Sequence, residues 1–214
     1  MRLYLSSSSL GNQPQALLPL VGDGRRVAVI ANALDGSAHS TRAEGVASEV
    51  EHLCRLGFDA REVDLRQYFG NSQRLAQALA PFHLLWVRGG NAFVLRRACQ
   101  LSGFDALLKQ LLAEDVVAYG GNSAGVCLLA PSLRGVELVD DPSHAPEGYP
   151  AAIIWEGLGV LPYMVVPHYR SDPPAFAAAI EEIVYYYIEH HLLFKALRDG
   201  EALVVHGDQE RVVS

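Results

Sequence analysis

Short apolar runs alternate with amphipathic stretches along almost the whole chain. Leu3-Tyr4-Leu5 is a first strand feeding the serine run 6–9. Residues 12–20 read as a helix with Pro14 in its first turn, and Asp23-Gly24 is a turn before the buried strand Val27-Ala28-Val29-Ile30. A polar loop over 33–40 precedes Thr41-Arg42-Ala43-Glu44, which has capping-box spacing. Val46, Val50, Leu53 and Cys54 follow at helical period, and Gly57 can end that helix. Strands are then expected over 58–65 and 83–87, with a helix over 71–79 between them. The turn Arg88-Gly89-Gly90-Asn91 leads into a helix over 92–99. Ser102 and Asp105 open another, with Leu107, Leu108, Leu111 and Leu112 inward.

The run Val116-Val117-Ala118-Tyr119 is β-type. It meets Gly120-Gly121-Asn122-Ser123-Ala124-Gly125 and continues into the apolar run 126–130. That is a strand, a tight turn and a helix start, with Ser123 at the apex of a G-x-S-x-G. Small residues on both sides let strand and helix approach and leave the hydroxyl exposed, which makes Ser123 a candidate nucleophile. Residues 131–167 are less regular and predict loops and short, antiparallel strands. A strand over 163–166 delivers Pro167-His168-Tyr169 to its end. Asp172-Pro173-Pro174 starts a helix whose inward face is Phe176, Ile180, Ile183, Val184, Tyr187 and Ile188. A turn at Arg198-Asp199-Gly200 precedes a strand over 202–205, and Val212-Val213 closes the chain as an edge strand.

Strands alternating with helices predict an α/β fold: a doubly wound, mostly parallel sheet with helices on both faces, here as one domain over residues 1–214. Ligands in such sheets bind beyond the carboxyl ends of the strands, where both Gly-rich turns lie. Composition narrows the function classes. The chain has 214 residues, 50% hydrophobic and 19% charged, enough for one sizeable core. A net charge of −7 with no basic run argues against nucleic acid. No apolar run reaches a membrane span, and Met1 to Ser6 is too strand-like for a signal peptide. Cys54, Cys99 and Cys127 are widely spaced, which predicts small buried hydrophobes in a reducing cytoplasm and no zinc site; no cofactor motif is visible either.

A serine needs a base, and the base needs a carboxylate that holds its tautomer. Among the eight histidines, His168 and His206 each follow a strand directly. Asp140, Asp141, Asp172, Asp199 and Asp208 are the candidate acids. Spacing permits two triads: Ser123, His168 and Asp199, or Ser123, Asp172 and His206 in the chain order of α/β-hydrolases. Three readings follow: a serine peptidase on short peptides, an α/β-hydrolase esterase using His206, and a non-catalytic binding protein.

The chain resembles the peptidase E (aspartyl dipeptidase) family of serine peptidases and, more distantly, the cyanophycinases. The resemblance rests on Gly89-Gly90-Asn91-Ala92-Phe93, Gly121-Asn122-Ser123-Ala124-Gly125, Pro167-His168-Tyr169 and Leu197-Arg198-Asp199-Gly200, in matching order and separation. It implies a flavodoxin-like sandwich akin to class I glutamine amidotransferases and a cytoplasmic enzyme, monomeric or homodimeric, acting on short peptides. It implies Ser123 as nucleophile, His168 as base and the Gly90 and Ala124 N–H groups as oxyanion donors. The family's third member is a glutamate, and Asp199 stands at the matching position, one methylene shorter. The aspartyl dipeptidases carry glycine where this chain has Arg88 and an aromatic where it has Asn122, and their substrate-binding arginine lies differently from Arg170. Arg170, Arg88, Asn91 and Asn122 are the candidate substrate-binding residues.

Overall fold

A computed structural model describes residues 1–171 and 174–214, with side chains outside 172–176. In chain order the elements are β1 (Arg2–Ser6), α1 (Leu18–Val21), β2 (Arg26–Ile30), α2 (His39–Arg55), β3 (Asp59–Glu62), α3 (Ser72–Leu79), β4 (Leu84–Val87), α4 (Ala92–Ser102), α5 (Phe104–Ala113), β5 (Ala118–Asn122), α6 (Ala124–Cys127), β6 (Met164–Val166), α7 (Pro174–Glu189), β7 (Phe194–Ala196), β8 (Ala202–His206) and β9 (Gln209–Val213). A 7-stranded sheet has the order β3-β2-β4-β5-β1-β8-β9. The first five are parallel; β8 pairs antiparallel with β1 and β9 with β8. This is the doubly wound, mostly parallel α/β sheet that the alternation predicts, in the flavodoxin-like form that the family resemblance implies.

The period of two along each strand divides the core. Tyr4, Val27, Val29, Leu84, Trp86 and Ala118 face one layer, with Leu53 of α2. Leu3, Leu5, Ala28, Ile30, Leu85 and Val87 face the other, with Leu75 of α3, Phe93 of α4 and Leu108 of α5. Both faces are covered, so the inner strands read as continuous apolar runs.

Several elements depart from expectation. Residues 12–20 form a 3-10 turn, Pro14–Leu17, and only one turn of α1, because Pro14 and Pro19 deprive the segment of donors. The Thr41–Glu44 capping box is not used: α2 begins earlier, after Ala38, with no side-chain cap. Its inward stripe is Gly45, Glu49 and Leu53; Val46 and Val50 are half-buried and Cys54 is exposed, not buried as expected. Glu49 can be buried because Trp86 Nε1 donates to its Oε2 at 2.9 Å and Asn122 Nδ2 to its Oε1 at 3.0 Å. β3 stops at Glu62, where Asp64 caps a 3-10 turn through Arg66 N. The helix after the elbow is short, ending as α6 at Cys127.

The irregular region contains no named strand among the described residues up to β6. Ser132 and Glu156 make an isolated antiparallel bridge, and Val136–Leu138 is a 3-10 turn. Side chains fix it instead. Fully buried Arg97 of α4 donates to the carbonyls of Pro142, His144 and Ala152, and the Tyr149 hydroxyl donates to Asp35. The strand expected over 163–166 forms as β6, Met164–Val166, but it pairs with β7, a strand the apolar pattern did not indicate. Ile180, Ile183 and Tyr187 of α7 pack beneath this small sheet, whereas Ile188, expected inward, is exposed. Asp172 and Phe176 lie outside the described side chains.

Candidate active site

β5 is an inner strand, and its glycines let β4 come close. A Cβ on Gly121 would stand 2.7 Å from Val87 O, and one on Gly125 only 2.2 Å from it. Ser123 takes φ 49° and ψ −115°, a strained backbone for an L-residue, as the elbow argument requires. Gly89 clears the space around it, since a Cβ there would meet Ser123 Cβ at 2.7 Å. Asn122 Oδ1 accepts from Gly89 N at 2.8 Å, tying the first Gly-rich turn to the elbow. Ala124 opens α6, so its N–H has no preceding helical acceptor. Asn91 N donates to Ala33 O, while the adjacent Gly90 amide, at φ 148°, donates to no acceptor among the described residues.

His168 follows β6 and is held at φ 62°. Its N–H donates to Ser7 Oγ at 2.7 Å, and Nδ1 lies 2.8 Å from Asp199 Oδ1. A carboxylate accepts, so the tautomer with the proton on Nδ1 is the one that fits this contact and turns Nε2 away from Asp199. Asp199 sits in the turn between β7 and β8, where Ser7 Oγ lies 2.8 Å from Oδ1 and Ser171 Oγ accepts from its N–H. Ser7 therefore connects β1 to both partners. The serine run 6–9 read only as a polar loop, and nothing local distinguished Ser7.

Ser123 and His168 border the same two cavities. One is narrow, about 40 Å³, and is also lined by Ala124, Cys127, Asp140 and Val166. The other is an open cleft of about 350 Å³ that includes Ser8, Arg88, Gly90 and Asn122. Asp140 accepts from Ala92 N at 2.7 Å, yet burial pushes its carboxyl up to about 6.

The remaining candidates separate by position. His206 pairs with Arg2, at the far end of β8, while Ala202 pairs with Ser6 at the elbow end. Four residues of strand put His206 roughly 13 Å from that end. That removes the α/β-hydrolase order, independently of Asp172. Arg170 is largely exposed, 3.9 Å from Glu181 and stacked over Tyr169, and it borders neither cavity. Asn91 caps α4, accepting from Phe93 N and Val94 N and donating to Asp141 O. Asn122 borders the cleft with its side chain committed to Gly89 and Glu49. Arg88 also borders the cleft, 3.6 Å from Glu49. Glu49 itself was missed, because a glutamate on an amphipathic helix reads as solvated. Among the described residues no cluster of His, Cys, Asp and Glu could hold a metal, and no helix is long and apolar enough to cross a membrane.

Comparison with known proteins bears on the family and the fold. Peptidase E of Streptomyces coelicolor is 31% identical over 192 residues, 87% of this chain and 70% of that one. An uncharacterized peptidase of Listeria innocua is 25% identical over 157 residues, 73% of this chain and 70% of its own. The crystal structure of a candidate peptidase E from Listeria monocytogenes EGD-e superposes with a TM-score of 0.81 at 22% identity, covering 99% of this chain and 97% of its own, a likeness of fold. The model of peptidase family S51 matches residues 3–213, nearly the whole span that carries the strained serine and the histidine–aspartate pair. The chain is a peptidase, a member of peptidase family S51.

Proposed function

We propose that residues 1–214 form a single catalytic domain, a serine-type dipeptidase that hydrolyses short peptides through an acyl-enzyme. The observation that carries this is the His168 Nδ1 to Asp199 Oδ1 contact of 2.8 Å beside a serine held at φ 49°. Ser123 Oγ attacks the scissile carbonyl as His168 Nε2 takes its proton. The negative oxygen is held by the N–H groups of Gly90 and Ala124. A donor of this type contributes roughly 3 kcal/mol to transition-state stabilisation. His168 then returns the proton to the amine as the C–N bond breaks, and water releases the acyl group by the same steps. Asp199 orients the imidazole and stabilises its charged form, and Ser7 fixes both.

The narrow cavity and the segment over 131–162 favour short substrates over folded proteins. The N-terminal aspartate preference implied by the family resemblance depends on Arg88, because Arg170 is turned to the surface. Fluorophosphonate labelling tests the chemistry: the wild type is labelled, Ser123→Ala is not, and His168→Ala reacts at least about 100-fold more slowly. Equal labelling of wild type and Ser123→Ala sinks the proposal.

A further inference from the structure

The Gly-rich turn after β4 is held on both sides of the Gly90 amide. Gly89 N donates to Asn122 Oδ1 at 2.8 Å, and Asn91 N donates to Ala33 O at 2.8 Å. Packing leaves the turn little room. A Cβ on Gly89 would stand 2.8 Å from Asn122 Oδ1, and one on Gly90 would stand 2.4 Å from Ala33 O. The direction of the Gly90 N–H therefore depends on the hydrogen bonds of its two neighbours.

One of those bonds is decided from α2. A backbone N–H only donates, so the Asn122 atom facing Gly89 N is the amide oxygen, and the atom facing Glu49 is the NH2. Glu49 Oε1 accepts from that NH2 at 3.0 Å, and Oε2 accepts from Trp86 Nε1 at 2.9 Å. Trp86, Asn122 and Glu49 are all buried, so these groups depend on one another for their hydrogen bonds. A carboxylate accepts at both oxygens and so fits between two donors. A glutamine does not, because one of its ends is an NH2. Trp86 Nε1 has no second acceptor among the described residues, so a glutamine at 49 gives its oxygen to Trp86 and its NH2 to Asn122. Asn122 must then turn round and set its own NH2 against the Gly89 N–H. The turn borders the open cleft, and it is the part that yields.

We infer that Glu49 is a positioning residue of the oxyanion hole, acting through Asn122 to fix the Gly89-Gly90 turn and with it the direction of the Gly90 N–H. This rests on the serine peptidase reading and goes beyond it by giving a role to a residue of α2. Asn122, with both ends of its amide engaged, belongs to the same scaffold. Arg88 Nε also lies 3.6 Å from Glu49 Oε1, so a change at Glu49 has a second route into the cleft. The test separates the two routes.

The experiment is a double-mutant cycle on the full chain, read as the second-order rate of fluorophosphonate labelling of folded protein well below each Tm. Glu49→Gln should slow labelling about 10- to 100-fold, the scale of a donor displaced by about an ångström. Asn122→Ala should slow it comparably. In the Asn122→Ala background, Glu49→Gln should change the rate by less than about threefold, because the path to Gly89 is already broken. An effect through Arg88, or through the charge of Glu49 alone, persists in full in that background and overturns the inference. A Glu49→Gln variant with a lowered Tm and the wild-type labelling rate also overturns it, since that is a purely structural role. Where Glu49→Gln alone does not fold, the pair Glu49→Gln with Asn122→Asp takes its place. The aspartate accepts from Gly89 N and from the glutamine NH2, so every donor again meets an acceptor. This pair should label faster than Asn122→Asp alone, which sets two carboxylates against each other; an equal or slower rate overturns the inference. Equal labelling of wild type and Ser123→Ala overturns the serine peptidase reading itself.

Discussion

Replacing Asp140 by asparagine should make the protein more stable at neutral pH and leave it unchanged in acid. Asparagine keeps the shape and can still accept from Ala92 N through its side-chain oxygen. What it removes is a carboxylate whose ionised form is disfavoured by burial, with a pKa raised from 3.8 to about 6. Folding therefore favours the protonated form. The wild type has its full stability below the unfolded value and loses it as pH rises through about 6, after which the loss is constant. The shift of about two units corresponds to roughly 3 kcal/mol at most. Asp140 keeps part of its surface open to the cavity, so about 2 kcal/mol is the better figure after solvent screening. For a chain of this length that is about 4–8 °C in Tm. Urea unfolding of both proteins, followed by circular dichroism in steps from about pH 3 to 8, gives the difference directly. The curves should converge near pH 4 and separate fully by pH 7. A gain that is the same at pH 5 and pH 8, or a variant weaker than wild type at pH 8, refutes the argument that the carboxylate is charged against its surroundings.

Two further outcomes bear on the site and its scaffold. Asp199→Asn should lower kcat about 100-fold with little change in KM, the low end for an orienting acid because Asp199 is partly exposed; a variant within threefold of wild type would place that role elsewhere. Gly125→Ala should lower stability by about 1–3 kcal/mol and abolish labelling, since its Cβ would stand 2.2 Å from Val87 O and β4 must move away from the elbow; an unchanged Tm contradicts the close approach.

The local chemistry of the chain was sufficient for the parallel sheet and for the position of Ser123, because apolar runs, glycines and small residues act over a few residues. It was also sufficient to bring His168 and Asp199 forward, since each ends or precedes a strand. It could not choose between His168 and His206, which both follow apolar strands. The antiparallel return of β8 along β1 decided that, by carrying His206 to the opposite end of the sheet. Nor could it find Ser7, whose partners His168 and Asp199 lie far along the chain, or Glu49, whose burial is stabilised by Trp86 and Asn122 on neighbouring strands. The region over 131–162 has weak periodicity because its order comes from Arg97 reaching into it and Tyr149 reaching out of it, not from its own backbone pairing. Period and turn chemistry are properties of neighbouring residues and so are written in sequence. Which side chains meet around Ser123 depends on which strands lie side by side, and only the folded chain determines that.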